Sequence, residues 1–128
     1  MASYQILYWH DIPAQVRVRD AGEAMAAVDL LARDANFALL LLDLRRSPLA
    51  QLRRIPSTSW YRLQRALEPT TLAAAVLTPC PLVPSAHVRL ELITSHALTA
   101  LAAERPTLNT QLAPSLLRHR TGDPAAAG

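Results

Sequence analysis

The segment Phe37-Ala-Leu-Leu-Leu-Leu-Asp43 constrains the fold of this chain more than any other. Its six apolar residues, Phe37 to Leu42, run without a polar break and then meet a carboxylate. A run of that length suits a strand covered on both faces, the kind found in parallel sheets flanked by helices. An α/β fold is therefore the expectation, with Asp43 delivered to the carboxyl end of the sheet, where such folds place their ligands.

The flanking segments fit that architecture. Ser3–Trp9 is aromatic and β-prone, Pro13 interrupts, and Gln15–Arg19 alternates Val16 and Val18 with Arg17 and Arg19, so two short strands are expected. Asp20-Ala-Gly-Glu23 is an N-cap acid with a glutamate three residues on, and predicts a helix from about Ala21 to Arg33 with Met25, Val28, Leu31 and Ala32 on its inner face. After Ser47-Pro48, which opens a helical turn, Ser57 is placed to cap a helix to about Glu68. That helix turns Trp60, Leu63 and Leu67 inward and Arg62 and Arg65 outward, and Pro69 stops it. Thr71–Thr78 and His87–Ile93 read as strands joined by the rigid Pro79–Pro84 turn, which predicts an antiparallel pair between them. Thr94 or Ser95 is placed to cap a last helix to about Glu104, and periodicity fades from Pro106. The resulting expectation is one α/β domain over 1–105, with 1–15 an atypical strand segment, and a weakly ordered tail over 106–128.

Composition removes whole classes of chemistry. All 13 basic side chains among the 128 residues are arginines, so neither the lysine of a P-loop nor a Schiff-base amine is available. Three glycines cannot build a dinucleotide-binding loop. The single Cys80 can form neither an internal disulfide nor a cysteine zinc site, and it lies between prolines with no adjacent cation to activate it. No apolar run approaches the ~20 residues of a membrane helix, and the start has no signal-like pattern. A cytoplasmic location, no membrane contact and no cofactor are expected.

The remaining polar constellations are thin. His10 and Asp11 are neighbours whose side chains point apart on a strand. His87, His96 and His119 share no metal-ligand spacing, and Ser57, Thr58 and Ser59 lack a nucleophile elbow. Asp43 is more simply a partner for turn amides at a strand end than a magnesium ligand. No catalytic, cofactor-binding or metal residue is assigned, and an enzyme is not expected. The arginines stand out: Arg45, Arg46, Arg53, Arg54, Arg62 and Arg65 fall in 21 residues without an acid, with Trp60 and Tyr61 among them. Guanidiniums in such a stretch suit phosphates or a partner's carboxylates.

Four pieces in order, Val16–Ala24, Leu30–Arg45, Arg54–Ala66 and Leu77–Leu82, resemble the back half of a RecA-type ATPase core. They are most similar to the RecA-related accessory proteins of bacterial DNA-damage mutagenesis, the ImuA or SulA-like group. The resemblance implies a partial RecA-like core: a mostly parallel sheet with a C-terminal antiparallel strand pair and flanking helices. It places a Walker B-like acid at Asp43. The front half with its phosphate loop has no counterpart here, and Thr78-Pro79 replaces a polar position that in RecA couples nucleotide to DNA. The implied role is thus non-catalytic, an accessory of DNA repair and translesion synthesis in the SOS response. It would work by contacts with RecA or translesion polymerase subunits, by self-association, and through DNA. The alternatives are an arginine-based nucleic-acid-binding module and a truncated RecA-like fragment without activity. Separately, Tyr8–Val16 resembles the opening of a small bacterial family labelled virulence factor.

Overall fold

A computed structural model describes residues 5–9, 12–34, 36–93 and 96–120. Its contacts divide the chain into two units, Met1–Ser85 and Ala86–Gly128, where the sequence suggests one domain over 1–105 and a tail. The architecture is mixed α/β, with one parallel strand pair and two antiparallel pairs.

The first unit begins with strands β1 (Gln5–Trp9) and β2 (Ile12–Arg17), an antiparallel hairpin whose register skips Ala14 opposite the Leu7/Tyr8 step. Pro13 lies inside β2, not before it, and a two-stranded ribbon allows this because its outer edge needs no N–H. His10 and Asp11 lie outside the described residues.

Helix α1 (Ala21–Ala32) starts where the capping pattern predicts. Asp20 is extended, and its Oδ1 accepts the Glu23 amide at 2.9 Å. Glu23 in turn accepts the Arg19 amide at 3.0 Å, so two otherwise orphan donors are satisfied reciprocally. Of the expected inner face, Val28 and Ala32 are buried, joined by Ala21 and Ala24, while Met25 and Leu31 are half-exposed. Small side chains let the helix axis come close to its neighbours, since interaxial distance follows the residues at the contact.

The apolar run forms strand β3 (Leu39–Asp43), followed by the short helix α2 (Leu49–Arg53), helix α3 (Ser57–Leu67) and strand β4 (Ala73–Leu77). β3 and β4 are parallel, from Leu39 opposite Ala73 to Asp43 opposite Leu77, and α2–α3 supply the crossover that parallel neighbours require. The α3 N-cap is Pro56, with no side-chain bond, so Ser57 is the first helical residue rather than the cap. At the other end Thr70 Oγ1 donates to the Leu67 carbonyl at 2.7 Å, directly after Pro69.

Helices α1, α2 and α3 cover one face of this strand pair. The core joins Leu42, Leu44 and Leu72 to Ala24, Val28 and Ala32 of α1, Leu52 of α2, and Trp60 and Leu63 of α3. Trp60, Leu44 and Leu52 are the largest fully buried side chains. The opposite face is bare: Leu39 is 63% exposed and Leu41 59%, with Ala73 and Ala75 open beside them. The expectation that β3 is covered on both faces is thereby corrected. Its inner residues satisfy the core, but no element in this unit's described residues lies on the outer ones.

In the second unit, β5 (Val88–Leu92) and β6 (Pro114–His119) form an antiparallel hairpin with a register skip at Leu117. Between them come a 3₁₀ turn, Leu98–Ala102, and helix α4 (Arg105–Gln111). The pairing of 71–78 with 87–93 expected from the sequence is therefore incorrect. β4 is apolar throughout and takes a parallel place beside β3, while the alternating β5 finds its partner in 114–119. The helix expected from 94 or 95 is replaced by the 3₁₀ turn, and positions 94 and 95 lie outside the described residues. Pro106 is the second residue of α4, in the first helical turn, which tolerates a residue without an N–H. No helix among the described residues is long and apolar enough to cross a membrane.

Candidate functional site

The six clustered arginines sit on the crossover between the parallel strands, and they do not share one environment. Arg45 follows β3 and turns back onto its end. Its Nε lies 3.0 Å from Asp43 Oδ1 and its Nη2 2.8 Å from Oδ2, a two-pronged pair, while its amide donates to the same Oδ1 at 3.1 Å. These bonds, led by the guanidinium, pull the Asp43 carboxyl down to about 2. The carboxylate is thus engaged by the adjoining turn, and Arg45 is engaged with it.

The other five, Arg46, Arg53, Arg54, Arg62 and Arg65, are exposed, and no described ion pair engages them. Arg53 ends α2, Arg54 follows it, and Arg62 and Arg65 stand three apart on α3. Trp60, between them in sequence, is 2% exposed and belongs to the core. Tyr61 is 42% exposed.

Two of these arginines border a groove that the sequence does not disclose. Between α1 and α3 lies a cleft of about 480 Å³ with Met25, Val28 and Leu63 at its base, Leu30 and Asp29 on the α1 side, and Arg62 on the α3 side. A second cleft of about 430 Å³ adds Arg54, Ile55 and Pro56 opposite Asp20. Gly22, Met25 and Ser59 line both, so the two adjoin. Both acids are already engaged: Asp20 caps α1, and Asp29 pairs with Arg33 at 3.4 Å. The groove therefore has an apolar base, occupied carboxylates on one wall and free guanidiniums on the other. Periodicity alone conceals it, because α1 and α3 are brought together only by tertiary packing.

Among the described residues no three His, Cys, Asp or Glu side chains come together as a metal site. Cys80 is a half-buried thiol. The His96 Nε2 is buried without a hydrogen-bond partner.

Neither a protein-family model, a curated protein nor a solved structure matches the chain.

Proposed function

We propose that the protein is a non-catalytic, RecA-like accessory protein of DNA repair and translesion synthesis, acting through protein–protein contacts. Its main support is the bare face of the parallel strand pair. Leu39 and Leu41, with Ala73 and Ala75, leave a leucine-rich strand open on the side where parallel sheets normally carry a second helical layer. A face of that kind, with strand edges beside it, suits association with another chain. The order of sequence pieces that resembles the back half of a RecA core supplies the setting.

The test is association. Light scattering across a concentration series, with pull-downs using RecA and error-prone polymerase subunits, should detect a complex that Leu39→Glu with Leu41→Glu removes. A clean monomer that captures none of them overturns the proposal.

The arginines support a second reading, a nucleic-acid-binding module built on Arg46, Arg53, Arg54, Arg62 and Arg65. Affinity for single strands would then fall with salt at a log–log slope of about −0.7 per phosphate contacted. Flat salt dependence removes it. The remaining alternative, an inactive fragment, predicts an uncooperative melt, and a sharp transition argues for a maintained domain.

A further inference from the structure

We infer that the α1–α3 groove is a docking site for an acidic amphipathic helix of a protein partner, an inference that rests on the protein-contact reading and names the chemistry of the partner. Three observations carry it. The base is aliphatic, from Met25, Val28 and Leu63, and Leu30 at its rim is 69% exposed. Two packed helices with an apolar seam accept a third helix through residues at i, i+3, i+4 and i+7. The positive charge of the groove is confined to one wall, where Arg54 and Arg62 have no described ion pair; on the other, Asp29 pairs with Arg33, and Asp20, still an anion, accepts the Glu23 amide.

The same wall argues against a nucleic acid in this groove. A phosphodiester chain repeats its negative charge along its whole length and would meet Asp20 and Asp29, whereas a helix can place carboxylates toward the arginines only. The lining contains no aromatic ring on which a base could stack. Gly22 sits where the two clefts join, and a Cβ there would lie 3.2 Å from Asp20 Oδ1.

A peptide library of about 15 residues, a length at which an isolated helix is marginal and gains order on binding, displayed on phage and panned on the full chain, tests this. Enriched sequences should carry Glu or Asp beside leucine, isoleucine or phenylalanine at helical spacing. Arg54→Glu with Arg62→Glu should weaken the enriched peptide by about tenfold or more, as for two surface ion pairs reversed in sign. The circular dichroism and melt of the variant should match the parent, and a charge-swapped peptide should recover the loss. Enrichment of basic or uncharged peptides, binding insensitive to the double reversal, or no enrichment at all overturns the inference. So does binding of oligo-dT that the reversal abolishes while no peptide binds. Since Leu39 and Leu41 lie outside the groove, partner capture that survives the arginine reversal but not the leucine changes sinks the groove alone.

Discussion

Ser85 Oγ donates to the carbonyl of Trp60 at 3.1 Å, joining residues 25 positions apart. Ser85 is 7% exposed, the one buried polar residue among the described residues, and Trp60 is 2% exposed. The bond ties the end of the proline-rich segment after β4 to the middle of α3, at the last residue of the first unit. Ser85→Ala should cost about 0.5–1.5 kcal/mol, the net worth of such a hydrogen bond, read as a lower urea midpoint at unchanged slope. An unchanged midpoint would show that the contact is incidental.

The two faces of α3 should separate stability from binding. Trp60→Ala empties the centre of the core and should destabilise by ~3–5 kcal/mol. Arg62→Ala with Arg65→Ala alters exposed side chains and should shift stability by less than ~0.5 kcal/mol while weakening partner or nucleic-acid binding. A double variant that unfolds, or one that binds normally, contradicts the assignment of this face.

The small residues of α1 carry a third expectation. Ala32 is 1% exposed, so Ala32→Leu forces methylenes into a filled space and should cost ~1–3 kcal/mol. Ala26→Leu, on the exposed side of the same helix, should leave the melting temperature almost unchanged. Equal effects at both positions would mean that α1 does not pack as described.

Asp43 provides a pH signature. Its carboxyl is held at about 2, first by the Arg45 guanidinium and then by the Arg45 amide, against an ordinary value of about 3.9 in the unfolded chain. Between those values the unfolded state binds more protons. Whatever stability the pair contributes is present above about pH 4 and is lost as pH falls toward 2, and it is small because both side chains are largely exposed. Carbon-detected NMR titration should give a midpoint near 2, and Arg45→Gln should return it toward the ordinary range. A midpoint already ordinary in the parent protein rules the pairing out.

Which segments become helix or strand was largely written in local sequence. Asp20 with Glu23 marks the start of α1, Pro69 the end of α3, and the run Phe37–Asp43 the strand β3, because capping, ring closure and unbroken apolar runs act over a few residues. The buried Trp60 and the exposed Arg62 and Arg65 were legible for the same reason: a period of 3.6 places them on opposite sides of one helix. Tertiary structure alone decided the pairing. β4 lies parallel to β3 across two intervening helices, and β5 pairs with 114–119, since strand partners are chosen by burial between distant segments. It also decided that Leu39 and Leu41 stay open on the outer face of β3. A continuous apolar run reports that both faces of a strand favour burial, and only the elements actually packed against it determine which face obtains it.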